Sequence, residues 1–398
     1  MSSCGNNFSG LIYYHLSILF MPNLKPEVEA FARIKVVGVG GSGSNAVDHM
    51  IRSKVRGVDF VAVNTDTQDL HHTTAHKKIH IGKNLTRGLG AGMNPEIGRQ
   101  AAEETRDEIQ EALKGADMVF VTCGFGGGTG TGASPVVAQA AKNQGILTIG
   151  VVTKPFAFEG AERGRLAEEG LARLKENVDA MIVIPNDRLL AATSKDTTFL
   201  SAFAMSDDIL RQAVEGISDL IMLPGIINVD FADVRAIMQN AGSALMGVAA
   251  ATGDKRAEEA ARGAINSPLL DFSIDGAKGV LFAIAGGPDM TLWEIQEAAK
   301  IITESMDKGA RVIFGAIHDE RLRKNELKIT VIAAGFPEKA NMKPLFVPQT
   351  QKDEQPLKIK KPEIKIQEEI VVEKPLVPGK NEDSWEAIPA FLRRSRKM

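Results

Sequence analysis

Two glycine-rich segments have the composition of loops that bind phosphate. GVGGSG (38–43) has the spacing GxGxxG, and GFGGGTGTGASP (124–135) alternates glycine with small residues. In such loops, backbone N–H groups and a helix N-terminus converge on an anion. No lysine follows Gly132, so the second segment is not a Walker loop, GxxxxGK[ST]. Amides, the helix dipole and a metal ion would have to balance the charge of bound phosphates.

GVGGSG also fits a nicotinamide-dependent oxidoreductase. Asp66 follows it by roughly twenty residues, where an acidic side chain binds a ribose in dinucleotide-binding folds. A tight strand-to-helix turn is a third interpretation. The second glycine segment favours a chain of phosphates, because parallel strands present their carboxyl ends to one edge of a sheet. An NAD-dependent oxidoreductase using Asp66 is the alternative, and NADH fluorescence on mixing would distinguish the two.

Alternating strands and helices position these segments. Apolar strand-like runs occupy 32–41, 58–66, 116–124, 146–155 and 178–187, with helical sequence between them. This order predicts an α/β fold with a Rossmann-like parallel sheet covered on both faces. Apolar residues at helical spacing over 198–223 predict a long central helix.

A second, smaller α/β pattern occupies 224–336. We expect helices near Val234 and over 255–264, and strands near Leu245, Leu281, Val312 and Ile329. Beyond it, 337–383 is rich in Lys, Glu, Pro and Gln and is expected to be a disordered linker. Apolar residues return in 384–398, as in a short peptide that docks on a partner.

Composition narrows the function classes. The 398-residue chain has a formal net charge of −3, which argues against bulk binding to nucleic acid. Cys4 and Cys123 offer neither a disulfide framework nor a zinc site and suit a reducing compartment.

The N-terminal segment 1–32 is expected to be a disordered extension. Its apolar run LIYYHLSILF (11–20) is too short to span a bilayer and lacks a basic flank. We expect 1–20 to lie outside the folded unit, with Met21 as an alternative start. Intact mass of the native protein would test this.

Several motifs together resemble the tubulin/FtsZ family of cell-division GTPases. GGGTGTG (126–132) matches the tubulin signature loop. Other family motifs follow in order over roughly 33–336 and in the tail: NTD (64–66), GAGMNPEIG (90–98), KPFAFEGAERG (154–164), PND (185–187), NVDFADV (228–234) and IPAFLRR (388–394). The resemblance implies that 33–197 binds GTP and GDP, that 224–336 activates hydrolysis, and that Mg²⁺ takes part.

The resemblance also implies a role for each matching residue. Phosphates would contact Gly40, Gly41, Ser42, Gly43, Ser44, Gly127, Gly128, Thr129 and Gly130, with Asn45 near the sugar or base. Glu159 and Arg163 would lie near the ribose, although their spacing alone favours a surface ion pair. Phe203 would stack on guanine, or simply belong to the apolar helix stripe, while Asn186 and Asp207 bond the edge of the base. A carboxylate facing the guanine N–H donors explains a preference for GTP over ATP.

NVDFADV has two interpretations. Asp230 and Asp233 at i and i+3 fit a helix N-cap with an acidic first turn. The resemblance instead implies that the two carboxylates enter the nucleotide pocket of the next subunit and polarise the attacking water, with Asn228 positioning the loop. Hydrolysis would then depend on head-to-tail assembly into filaments. A homologue that binds GTP but hydrolyses it poorly is a further alternative, against which the two aspartates argue.

The sequence departs from the family pattern in its loops. Ser42 and Ser44 interrupt the first glycine run, and Met93 replaces a small residue, which puts nucleotide affinity and the contact between subunits in question. The tail resembles the family's C-terminal peptide, and membrane-anchoring division proteins would bind it through Trp385, Ile388, Pro389, Phe391 and Leu392. The resemblance implies a cytoplasmic protein at the mid-cell division ring of a bacterium, without a membrane span and without nucleic acid.

Overall fold

The computed structural model describes residues 32–191, 197–223, 225–267, 274 and 276–336. The linker, the tail and all but the last residue of the expected N-terminal extension lie outside them. The described residues belong to a single unit within Met1–Val347. The strands of this unit are β1 (Ile34–Val39), β2 (Val58–Asn64), β3 (Lys77–His80), β4 (Met118–Gly124), β5 (Leu147–Lys154), β6 (Ala180–Pro185), β7 (Gly225–Ile227), β8 (Gly242–Thr252), β9 (Gly279–Gly286), β10 (Arg311–His318) and β11 (Glu326–Ala334).

Helices cover both faces of the sheet that these strands form. They are α1 (Gly40–Arg52), α2 (Thr67–His72), α3 (Lys83–Thr86), α4 (Pro95–Glu104), α5 (Arg106–Leu113), α6 (Thr129–Lys142), α7 (Ala161–Lys175), α8 (Asn186–Ala191), α9 (Phe199–Met222), α10 (Phe231–Met238), α11 (Arg256–Ile265) and α12 (Leu292–Glu304). The helix expected over 198–223 is α9. Thr198 begins it as N-cap, and its side chain accepts a hydrogen bond from the backbone N–H of Ser201.

The order of strands in the sheet is β3-β2-β1-β4-β5-β6-β8-β11-β9-β10-β7. Neighbours from β3 to β8 are parallel, which confirms the expected parallel sheet. The order 3-2-1-4-5-6 is that of a doubly wound fold. In the second part of the sheet, β11 pairs antiparallel with both β8 and β9. The two parts meet where Ala180–Ile182 of β6 pairs with Gly242–Ala244 of β8.

The central strands are apolar throughout because both of their faces are buried. On β4, the fully buried Phe120 points to the core layer that includes Leu210 and Val214 of α9. Val119 and Val121 point to the opposite layer. Along the described residues, no helix combines the length and apolar character that crossing a bilayer requires.

Candidate active site

Two helix N-termini meet at the carboxyl edge of the sheet. Helix α1 begins at Gly40 directly after β1, and α6 begins at Thr129 after β4. Strands β1 and β4 are neighbours at the point where the strand order reverses, which is where open α/β sheets bind ligands. A Cβ atom on Gly40 would lie 2.8 Å from the backbone nitrogen of Gly130, and the φ of Gly40 is +74°. Only glycine allows this approach, which directs the free amides of both helices to one place.

These helix ends border an open cleft of about 520 Å³, a size that suits a nucleotide. Twelve of the predicted ligand-binding residues line it: Gly40, Gly41, Ser42, Gly127, Gly128, Thr129, Gly130, Glu159, Arg163, Asn186, Phe203 and Asp207. The structure thus brings together the two glycine loops and the residues expected at the sugar and the base. Their individual contacts with nucleotide stay predictions.

Three other predicted residues, Gly43, Ser44 and Asn45, do not line this cleft. Gly43 is buried, and a Cβ atom on it would lie 2.7 Å from the carbonyl oxygen of Thr122 on β4. Ser44 is also buried, and Asn45 is exposed outside the cleft. In this structure the glycine at 43 allows α1 to pack closely on the sheet.

The signature loop is fixed by the segment GAGMNPEIG. Asn94 caps α4 by accepting a hydrogen bond from the backbone N–H of Glu96. A Cβ atom on Gly128 would lie 2.3 Å from the carbonyl oxygen of Gly92, and one on Gly132 would lie 1.8 Å from that of Pro95. The backbones of the two segments are therefore in direct contact, and side chains there would separate them.

At the other end of the cleft are the residues expected to bind the base. The Asn186 side-chain oxygen accepts a hydrogen bond from Ser206 Oγ over 2.8 Å. The Phe203 ring lies edge-on to the buried Phe156, with 5.3 Å between ring centroids. Burial raises the pKa of Asp207 to about 6, although nearby cationic side chains of α1 partly oppose the shift.

Glu159 and Arg163 form the expected i,i+4 ion pair, with Arg163 Nη1 donating to Glu159 Oε2 over 2.5 Å. The other Glu159 oxygen accepts from the backbone N–H of Phe156. Both side chains also line the cleft. The ion-pair interpretation and a place beside the ligand are therefore compatible.

Asp69 also lines the cleft, although no sequence motif predicts it. Asn64 Nδ2 donates to Asp69 Oδ2 over 2.6 Å, and that oxygen would lie 3.5 Å from a Cβ atom on Gly41. Burial, and then the charge of Asp66, raise the pKa of Asp69. The sequence signal is its position in the first turn of the helix that follows β2. Asp69 thus places a carboxylate beside GVGGSG, the first glycine-rich segment.

Asp66 has a local role that limits the oxidoreductase interpretation. Its side chain caps α2 by accepting hydrogen bonds from the backbone N–H groups of Gln68 and Asp69. A carboxylate oxygen committed to this cap is less available to bind ribose hydroxyls. Asp66 nevertheless lines the cleft.

The three predicted catalytic residues do not line the cleft. Asp230 and Asp233 lie at the start of α10, and both are exposed. Arg235 of the same helix contacts the carbonyl oxygens of Asp117 and Gly145, just before β4 and β5. The cleft is formed at the other, carboxyl ends of these strands, and β4 alone, with seven residues, spans roughly 20 Å. Helix α10 therefore lies at the opposite edge of the sheet.

Family models match most of the described chain. The model of the tubulin/FtsZ family GTPase domain matches residues 33–194, and that of the FtsZ family C-terminal domain matches 242–337. The chain belongs to the tubulin/FtsZ family. It is therefore a cytoskeletal GTPase that binds GTP and GDP and hydrolyses GTP. Family membership excludes the oxidoreductase alternative.

Solved structures of the family are similar to this chain. An empty FtsZ dimer from M. jannaschii is 47% identical in sequence and has a TM-score of 0.74. The match covers 76% of this chain and 88% of the FtsZ chain. A mutant of FtsZ from M. jannaschii has the same identity and TM-score, with coverages of 77% and 92%. A protofilament of CetZ2 from Haloferax volcanii with bound GTPγS is 25% identical, with coverages of 77% and 94% and a TM-score of 0.66. These relatives support self-association of family members.

Proposed function

We propose that this GTPase is activated by assembly, with each active site shared between two subunits of a head-to-tail filament. The observation that carries the proposal is the placement of Asp230 and Asp233 at the sheet edge opposite the cleft. In a head-to-tail contact, the amino edge of one subunit's sheet faces the carboxyl edge of the next. The two carboxylates can then reach the nucleotide of the neighbour, although they cannot reach their own.

The state of the two carboxylates supports this role over a structural one. Asp230 is at the N-cap position of α10, but its side chain accepts no capping hydrogen bond. Within the described part of the chain, neither Asp230 nor Asp233 has a side-chain hydrogen bond or ion pair. A carboxylate that only stabilised the helix would be expected to bond its free amides. Both side chains are thus available to a partner.

Asn228 supports the loop that carries these aspartates. Its side-chain oxygen accepts a hydrogen bond from the backbone N–H of Gly225 over 2.6 Å, which holds the Asn228 side chain against the first residue of β7. The side-chain nitrogen has no described hydrogen-bond partner and can face the neighbouring nucleotide. We assign to Asn228 the positioning of the loop.

Within the cleft, the amides at the N-termini of α1 and α6 would bind the phosphates. Asp230 and Asp233 would orient the attacking water and accept its proton as it attacks the γ-phosphate. Phosphoryl transfer depends mainly on such positioning and on charge balance, so a second subunit can complete the site. Asp207 and Asn186 would bind the edge of guanine and Phe203 its face.

The charges of the cleft fit a divalent cation. Among its described lining residues, Asp66, Asp69, Glu159 and Asp207 are acidic, whereas Arg163 is basic. A triphosphate adds further negative charge, which Mg²⁺ would offset. The described residues contain no cluster of three or more metal-binding side chains. This agrees with Mg²⁺ that is held by phosphates and one or two carboxylates, for which Asp69 and the Asp66 oxygen that does not cap α2 are the candidates.

We further propose that the filaments act in cell division, at a ring beneath the membrane at mid-cell. The resemblance of the tail to the family's C-terminal peptide supports binding of membrane-anchoring division proteins through the apolar residues of 384–398. Relatives include archaeal FtsZ and CetZ, so a bacterial ring is one form of this proposal.

The rate of phosphate release from GTP, measured in the presence of Mg²⁺, tests the shared site. We expect the rate per subunit to be near zero at low protein concentration and to rise above a threshold concentration. Asp233→Asn should bind GTP and assemble but lose most hydrolysis. Two results together would show that each chain is catalytically complete. The rate per subunit would be independent of protein concentration, and Asp233→Asn would stay active.

A further inference from the structure

Arg235 connects α10, the helix that carries the two aspartates, to the loops that precede β4 and β5. Its Nη2 atom lies 3.5 Å from the carbonyl oxygen of Asp117 and 3.4 Å from that of Gly145. These residues precede β4 and β5, the strands whose other ends form the cleft. The contacts are long for hydrogen bonds. One guanidinium group therefore contacts two loops of the parallel part of the sheet, at the strand ends away from the cleft.

The same guanidinium contacts the first turn of its own helix. The carbon at its centre lies 5.3 Å from the centroid of the Phe231 ring, within the range of a cation–π interaction. Phe231 follows Asp230 directly and precedes Asp233 by two residues. Its ring is partly buried and packs against the main core. Arg235 thereby touches the residue that the two carboxylates flank.

Stability alone does not explain an arginine at this position. Its Nε atom is buried and has no partner in the described part of the chain, an unfavourable state for a donor. A cavity of about 260 Å³, lined also by Lys142 and Asp179, lies beside it. Arg235 therefore carries an unpaired donor that an apolar side chain would avoid. Its reach across two parts of the chain is the feature that needs an explanation.

We propose that Arg235 is a positioning residue, which holds the first turn of α10 on the amino edge of the sheet so that Asp230 and Asp233 meet the neighbouring nucleotide. The inference rests on the shared active site proposed above. Misplacement of a reacting group by about 1 Å can cost roughly 100-fold in rate. The loss of this one side chain would therefore lower hydrolysis while leaving the chain's own cleft intact.

The test compares Arg235→Gln with Arg262→Gln in the full chain. Arg262 is an exposed arginine that pairs with Glu258 on its own helix, so its variant should behave as wild type. For Arg235→Gln we expect unchanged GTP affinity and assembly, and a kcat lower by roughly 10- to 100-fold with little change in KM. Phe231→Leu removes the ring face but keeps apolar packing, and should lower kcat in the same direction. It provides the test if Arg235→Gln fails to fold.

A mixing experiment separates this role from general damage. Asp207→Asn subunits, weakened in GTP binding, still present an intact α10 to a neighbour. Adding them to Arg235→Gln subunits should restore hydrolysis, because the defect lies on the donating face. Asp233→Asn mixed with Asp207→Asn is the positive control.

The outcomes distinguish the two proposals. If Arg235→Gln and Phe231→Leu both have the wild-type kcat while Asp233→Asn is inactive, the proposed role of Arg235 is wrong and the shared site stands. A lowered kcat without restoration on mixing, when the positive control is restored, would also overturn the role of Arg235. A fully active Asp233→Asn would instead refute the shared site.

Discussion

The hydroxyl oxygens of Thr65 and Thr129 lie 2.7 Å apart, within hydrogen-bond distance. Thr65 follows β2 and is fully buried, whereas Thr129 is the first residue of α6. This bond ties the loop after β2 to the signature loop. It connects two segments that both border the cleft.

Thr65→Val should destabilise the fold because it keeps the shape of the side chain but removes this bond. We expect a loss of about 1 kcal/mol in the free energy of unfolding, measured by denaturant titration. In a double-mutant cycle with Thr129→Val, the second substitution should cost less in the Thr65→Val background. Additive effects would contradict a direct bond.

Gly132→Ala and Gly127→Ala form a matched pair within one loop. An added Cβ atom at 132 would lie 1.8 Å from the Pro95 carbonyl oxygen, whereas one at 127 has nothing within 4 Å. We expect Gly132→Ala to cost about 1–3 kcal/mol or to prevent folding, with Gly127→Ala close to wild type in thermal unfolding. Equal melting temperatures would argue against close packing of α4 on α6.

Guanine recognition should depend on pH through Asp207. Its pKa of about 6 means that the carboxylate is ionised at pH 7 and becomes protonated as the pH falls below 6. If Asp207 binds guanine as proposed, only its ionised form can accept both N–H donors, so GDP affinity should fall below pH 6, by up to about tenfold per pH unit. Calorimetric titration of GDP from pH 7.5 to 5 measures this.

Asp207→Asn provides the control for that titration. The variant should bind GDP weakly at every pH and lose the part of the pH dependence that Asp207 causes. It should also discriminate less between GDP and ADP. An unchanged pH profile in the variant would assign the effect to another group, such as the phosphates.

Glu215 holds a buried ion-pair network on α9. Its side chain, 3% exposed, bonds both Arg211 and Arg321, and Lys328 lies 3.5 Å away. Glu215→Gln should cost about 1–3 kcal/mol, because it removes a buried charged partner, although Arg211 keeps Asp208 and Arg321 keeps Asp319. Urea unfolding measures the effect.

An exposed carboxylate is the comparison for Glu215. Glu162 pairs with Arg165 on the surface of α7. Glu162→Gln should leave the unfolding midpoint unchanged, because exposed pairs are well solvated. A similar effect of both substitutions would mean that burial does not strengthen the Glu215 network.

Buried strands were predictable because both faces of the sheet are covered. The apolar runs that contain β1, β2, β4, β5 and β6 lie where the sequence predicts them, and so do α9 and the strands near Leu245, Leu281, Val312 and Ile329. Elements of the described chain that the sequence did not predict include β3, β7, α8 and α12. Strand β7 has three residues and exists through its pairing with β10, which no local pattern reveals. The junction of β6 with β8 is likewise a tertiary contact.

The candidate site was predictable where a motif alone determines it. Residues of both glycine loops line the cleft, and so do Asn186, Phe203 and Asp207, which the family pattern places at the base. Asp69 was missed because its place depends on how α2 packs beside Gly41. Gly43 shares the motif but serves the contact of α1 with β4. Spacing cannot distinguish a glycine needed for a ligand from one needed for packing.

The placement of the cleft and α10 at opposite sheet edges gives a filament two unlike ends. In a head-to-tail filament, the terminal subunit at one end keeps an open cleft that receives no carboxylates. If the active site is shared as proposed, the nucleotide of this subunit would be spared from hydrolysis until another subunit arrives. The subunit at the other end presents Asp230 and Asp233 to solvent. Growth and shrinkage would therefore begin from different chemical states at the two ends, which makes directional turnover a consequence of the topology of the sheet.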